Sequence, residues 1–242
     1  MSYVYETGYF QNTKENKIFK IEIMKDEDPM NPLEDFDGPA KLYCWHNRYK
    51  LGNENPYSDP EDFMESAKEE ECVTMPLWLY DHSGITMSCG KGNPYSCQWD
   101  SGQVGFGYIS KKEIMEIKPG FQNENGEWEY PTEDDWERFG GMVIEQAVEE
   151  YDMYLVGDCY GYQVYEYNEF EEEFEETDDS CWGFFTRKFG IDLVKEIAKW
   201  NITSETIYET LDELIEKESK NFPQNFRSWS MSAIRLKFGL QI

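Results

Sequence analysis

Residues 158–185 read DCYGYQVYEYNEFEEEFEETDDSCWGFF. The two ends of this segment alternate like strands, and its middle is a run of acids. DCYGYQVYEY (158–167) has the two-residue period of a pleated strand, and DDSCWGFF (178–185) reads as its hairpin partner. Between them EYNEFEEEFEETDDS (166–180) holds Glu or Asp at nine of fifteen positions, yet rings recur at Tyr167, Phe170 and Phe174. A solvated acidic tail has no use for rings, and a core strand does not tolerate the acids. The segment is expected to be a long acidic hairpin arm.

On its C-terminal side, IDLVKEIAKW (191–200) reads as an amphipathic helix ended by Asn201-Ile202-Thr203, and TSETIYETLDELIEKESK (203–220) as another. The last 22 residues, from Asn221, contain Arg227, Arg235 and Lys237 but no acid. On the N-terminal side, TEDDWERFGGMVIEQAVEEYDMYL (132–155) places Trp136, Phe139, Val143, Ile144, Ala147 and Tyr151 at helical spacing. Thr132 and Asp135 stand in capping-box spacing, as do Ser110 and Glu113 in SKKEIMEI (110–117). Gly140-Gly141 is expected to weaken and kink the longer helix. The first half is β-rich, with strands at 2–10, 17–24, 40–46, 73–81, 85–88 and 104–110 and a polar turn at 11–16. DPEDFMESAKEEE (59–71) starts a surface helix with Asp-Pro. The pattern predicts an α+β fold: an antiparallel sheet flanked by helices, with the acidic hairpin arm and a helical C-terminal extension. Residues 1–200 are expected to form the α+β domain and 201–242 the extension.

The 242 residues carry a net charge of −28, against roughly 2–8 in magnitude needed to keep a small domain soluble. With 17% aromatic residues the chain is not a disordered acidic polymer. Such charge disfavours direct binding to nucleic acid or to an anionic membrane and favours a basic protein surface. No signal peptide and no bilayer-spanning apolar run is present, which predicts a protein of the cytosol. Six cysteines are then expected to be thiols.

The catalytic and metal signals are weak. Cys44, His46, Cys89 and Cys97 could meet around zinc, but there is no CxxC and no HExxH. DEDPMNPLEDFD (26–37) lacks the central Gly and closing Glu of a calcium loop. Asp81-His82-Ser83 has the names of a triad, but neighbours on a strand point to opposite faces. Cys97 or Cys89 could pair with His82, and Asp81 with Asp100, across a hairpin. The plainer reading of DHSG and WDSGQVG is turn chemistry. GFGYIS has the wrong spacing for a phosphate or dinucleotide loop, so no cofactor is implied.

Five stretches carry a resemblance: LYCWHNRYKLGNENPY (42–57), PLWLYDHSGITM (76–87), WDSGQVGFGYIS (99–110), YLVGDCYGY (154–162) and DSCWGFF (179–185). As a set they resemble a widespread family of uncharacterised acidic proteins encoded by phages and mobile elements, mainly of Gram-positive bacteria. No activity or catalytic residue is established for that family, so none carries over. The resemblance implies a role in phage–host conflict or element maintenance. Against that pattern, 166–178 and the C-terminal 40 residues look like additions.

The charge then becomes the leading functional signal. DNA carries one negative charge per about 1.7 Å of axis, so 28 charges match roughly 48 Å of duplex. A compact chain of this length is about 45 Å across. The expected function is a non-catalytic inhibitor of a host defence system, of the anti-CRISPR or anti-restriction type. It would work by acidic nucleic-acid mimicry on the basic surface of a host nucleic-acid-binding protein in the bacterial cytosol. The expected contact residues are Glu166, Tyr167, Glu169, Phe170, Glu171, Glu172, Glu173, Phe174, Glu175, Glu176, Asp178 and Asp179, the acids replacing phosphates and the rings serving as anchors. A small enzyme built on the His82, Cys97 and Asp100 turns is one alternative. A structural or regulatory element protein with incidental acidity is the other.

Overall fold

The computed structural model describes residues 3–12, 17–35, 38–118, 120–123, 125–168, 170–198 and 206–218. In chain order they form β1 (Val4–Asn12), β2 (Lys17–Lys25), α1 (Pro32–Asp35), β3 (Lys41–Cys44), α2 (Pro60–Lys68), β4 (Cys72–Asp81), β5 (Ile85–Cys89) and β6 (Ser101–Ser110). There follow α3 (Lys111–Glu116), β7 (Phe121–Gln122), β8 (Trp128–Glu129), α4 (Trp136–Val156), β9 (Cys159–Asn168), β10 (Glu173–Phe185), α5 (Ile191–Ala198) and α6 (Leu211–Glu218). The fold is α+β and its sheets are antiparallel, as the sequence implied. No helix among the described residues is long and apolar enough to cross a membrane.

The strands do not share one sheet. The chain divides into two compact units: Met30–Gly157, and the flanking segments Met1–Pro29 and Asp158–Ile242 together. Each has its own four-stranded sheet, in the orders β3-β6-β4-β5 and β1-β2-β9-β10. The expected boundary at 200–201 falls among residues 199–205, which lie outside the described ones, as do residues 13–16 of the turn expected at 11–16 and the acid-free segment 221–242; Gln11 and Asn12 belong to β1. The described part of the expected extension belongs to the flanking unit, because α6 buries Leu211, Leu214 and Ile215 against Ile18 and Tyr167.

In the flanking unit β2 lies beside β9, with Ile21 opposite Val164 and Ile23 opposite Tyr162. α5 packs Leu193, Val194 and Ile197 on those residues and on Phe10 and Tyr160. Residues 206–210 are not the helix that was expected. Tyr208 pairs instead with Tyr9 on β1, each amide donating to the other's carbonyl at 2.8 Å.

In the central unit the helix read over 132–155 is α4, packed through Phe139, Val143, Ile144, Val148 and Tyr151 on Leu42, Leu77, Leu79 and Ile109. GFGYIS proves to be a packing device. A Cβ on Gly107 would lie 2.4 Å from Ile144, so this glycine lets α4 approach the sheet. Phe106 and Tyr108, with the alternate parity, meet Phe63 of α2 at 5.4 and 6.1 Å, joined by Tyr43, Trp45 and Tyr57. Ser110 and Glu113 form the expected capping box on α3. At α4 the expected cap is only half made: the Asp135 carboxylate accepts from the Thr132 amide and hydroxyl, at 2.7 and 2.6 Å, and the helix starts at Trp136.

Candidate functional site

The acidic segment is a hairpin, but most of it lies in the sheet. β10 begins at Glu173, and Glu173, Phe174, Glu175 and Glu176 pair with Asn168, Tyr167, Glu166 and Tyr165. Glu has low β-propensity, yet cross-strand pairing and packing decide such a strand more than propensity does. The tip is short. The Asn168 side-chain oxygen accepts from the amides of Phe170 and Glu171, at 2.8 and 3.2 Å, and Glu172 takes a left-handed conformation with φ 61°. Glu169 lies outside the described residues.

Beyond Glu176 the ladder slips. Glu176 faces Tyr165 and Ser180 faces Gln163, so β10 carries two extra residues there, and a second irregularity falls between Cys181 and Phe184. Buried Gln163 threads the first bulge, its amide nitrogen donating to the carbonyls of Thr177 (2.6 Å), Val164 (3.0 Å) and Asp179 (3.3 Å). Bulges bend the strand that carries them, and here the bend presents Asp178 and Asp179 to solvent.

The three rings part company. Tyr167 is only 6% exposed and packs with Ile18, Tyr208 and Leu214, so it is a core residue and not the partner-facing anchor that was expected. Phe174 lies half-buried against Tyr167 and Tyr9 and is likewise unavailable as a projecting anchor. Phe170 is 89% exposed at the tip. Side-chain alternation explains the split: Tyr167 and Phe174 sit directly opposite one another in the ladder and share one face, whereas Phe170 is in the turn.

The carboxylates divide in the same way. Glu166 is half-buried and ion-paired with Lys17 at 2.8 Å. Glu175 accepts from the Asn168 amide group at 2.7 Å. Glu171, Glu172, Glu173, Glu175, Glu176, Asp178 and Asp179 are all exposed. A groove of about 450 Å³ reaches two of them, lined by Lys17, Glu166, Asn168, Glu175, Glu176 and Thr177. Lys17 and Gln163 went unnoticed in the sequence, since their places depend on which strands become neighbours.

In the central unit three residues of the alternative site do converge. One Asp100 carboxylate oxygen lies 3.1 Å from the Cys97 thiol and 3.3 Å from His82 Nδ1. The Asp81 carboxylate turns elsewhere, to Tyr49 (3.2 Å) and Arg48 (3.3 Å). DHSG forms the β4–β5 turn, with Ser83 left-handed at φ 58°.

Comparison of the chain with protein-family models, with curated proteins and with solved structures finds no match in any of the three.

The four residues considered for zinc keep to separate tasks. His46 Nδ1 accepts from the amides of Arg48 and Tyr49, and its ring stacks on Tyr49. Burial pushes the Cys44 thiol up to about 12. The Cys89 thiol is pushed up to about 11, by burial first and Glu145 second. Among the described residues no group of three or more His, Cys, Asp and Glu side chains is arranged to hold a metal ion.

Proposed function

We propose that the protein is a non-catalytic inhibitor, encoded by a phage or mobile element, that occupies the basic nucleic-acid-binding surface of a host defence protein of the CRISPR or restriction type. One observation carries this reading. Seven of the nine residues 171–179 are acidic, and all seven are exposed along or next to an edge strand. A strand rises about 3.4 Å per residue. One strand of DNA carries a phosphate per about 3.4 Å of axis. Over the extended stretch Glu173–Glu176, with three carboxylates on four residues, the sheet edge therefore approaches the linear charge density of a nucleic-acid strand. A cationic groove built for phosphates can form charge-assisted hydrogen bonds to carboxylates so spaced. Phe170, projecting from the end of the row, supplies one apolar anchor.

A second reading, a small enzyme, has one observation in its favour: the convergence of His82, Cys97 and Asp100. There the carboxylate lies between thiol and imidazole, so the order differs from a nucleophile–base–orienting acid relay.

The two readings separate in a displacement assay. A labelled duplex is bound to a purified host restriction endonuclease or CRISPR effector, and the protein is titrated in at several salt concentrations. Mimicry requires displacement that weakens steeply with salt. It also requires loss of displacement in a variant with Glu171, Glu173, Glu175 and Glu176 changed to Gln, and none in His82→Ala. Displacement that is indifferent to the four Gln substitutions refutes the acidic edge as the contact surface.

A further inference from the structure

Of the four outer edges of the two four-stranded sheets, three have backbone groups taken up by a partner outside the sheet. On β1, Tyr9 exchanges both backbone hydrogen bonds with Tyr208 at 2.8 Å. On β3, the Leu42 amide donates to the Asn53 side chain and its carbonyl accepts from the Asn53 amide, both at 2.8 Å. On β5, the Met87 amide donates to Asp152 at 2.7 Å. The fourth edge is β10, at 13 residues the longest strand, and among the described residues no strand pairs with its outer side.

An edge left open is a template for pairing with another chain. The nearest available template is a second copy of the same strand. Two β10 edges in register would stand about 4.8 Å apart and bring carboxylate against carboxylate. The placement of the acids fits this hazard. The bulges already spoil the ladder from Glu176 to Phe184. The regular stretch that could still pair, Glu173–Glu176, holds Glu173, Glu175 and Glu176, all exposed. We propose that these carboxylates are an electrostatic guard that keeps the β10 edges of two copies of this chain apart. Self-association is then governed by how far they are neutralised or screened. The role is independent of the inhibitor reading and stands or falls separately.

The test is sedimentation velocity on the full chain, wild type beside Glu173→Gln/Glu175→Gln/Glu176→Gln. Raising salt from 0.1 to 1 M shortens the screening length from about 10 to about 3 Å. The wild type should be monomeric at the lower salt and associate at the higher. The variant should associate at both, and amide exchange in β10 should slow as it does so. If the variant proves unfolded by circular dichroism, the wild-type salt series decides alone. Monomers under every condition, a wild type already paired through β10 at 0.1 M salt, or association without added protection in β10 each overturn the proposal.

Discussion

Phe174 meets Tyr167 edge-on, their ring centroids 5.4 Å apart, and Tyr9 approaches Phe174 at 6.0 Å. Two of the three rings in the acidic segment thus fasten the hairpin to the body, and the third is left outside. That is what allows a heavily charged strand to persist at a sheet edge, since the anchoring comes from its inward face.

The ring pair and the tip ring should respond oppositely to truncation. Phe174→Ala removes a half-buried aromatic contact and should cost about 2–3 kcal/mol of unfolding free energy. Phe170→Ala should stay within about 0.5 kcal/mol, because it touches little. Under the proposed function its effect should appear instead as weaker displacement of nucleic acid from the defence protein. Urea unfolding of both variants checks the first half, and equal losses would contradict the assignment of the rings.

Much of this architecture is legible in the sequence. The alternation of KIFKIEIM and VTMPLWLYD, the Ser110–Glu113 cap and the helical spacing from Trp136 to Tyr151 each rest on neighbours a few residues apart. Pairing across long separations was not legible. β2 joins β9 some 140 residues away, and this join divides the strands between two sheets. Tyr208 shows the same limit: its segment has helical composition, but an opposed backbone on β1 overrides it. In the candidate site the exposure of the acids from Glu171 to Asp179 could be foreseen, and the burial of Tyr167 could not. Which rings turn inward depends on register, and register follows from the partner strand.

Stability should decline at alkaline pH. Burial pushes the Cys44 and Cys159 thiols up to about 12 from the ordinary 9.0. Below pH 9 both folded and unfolded chains hold these protons, and the stabilisation is complete. Above it the unfolded chain releases them while the folded chain retains them. The folded state therefore loses roughly 1 kcal/mol per pH unit per thiol until about pH 12. Urea midpoints measured from pH 8.5 to 10.5 should fall, and Cys44→Ala should make the slope shallower. An unchanged slope would show that Cys44 does not contribute.

Asp152 on α4 reaches across to β5, accepting from the Met87 amide at 2.7 Å and the Thr86 hydroxyl at 2.6 Å. Asp152→Ala should cost about 1–3 kcal/mol by leaving the buried amide without its acceptor. Asp152→Asn keeps an oxygen in place and should cost less. Amide exchange at Met87 should accelerate in the alanine variant alone. Identical behaviour of the two variants would mean that the acceptor is not what matters.

Gly140 and Gly141, which the sequence marks as a weak point, lie within an uninterrupted α4 and should answer alanine with opposite signs. In both places alanine gains about 1 kcal/mol of helix propensity over glycine. At Gly141 the new methyl would meet only the end of Met75, at 3.7 Å, an ordinary contact, so Gly141→Ala should stabilise by up to about 1 kcal/mol. At Gly140 it would lie 2.6 Å from both Ile114 Cδ1 and Val73 Cγ2. Ile114 can swing its terminal carbon aside, but Val73 is β-branched and held in β4, with its Cβ only 3.1 Å away. Overpacking of this kind costs about 1–3 kcal/mol, which exceeds the propensity gain. Gly140→Ala should therefore lower the thermal midpoint while Gly141→Ala raises it. If both raise it, the close approach of α4 to β4 and α3 is not a constraint, and the glycine pair is a matter of propensity alone.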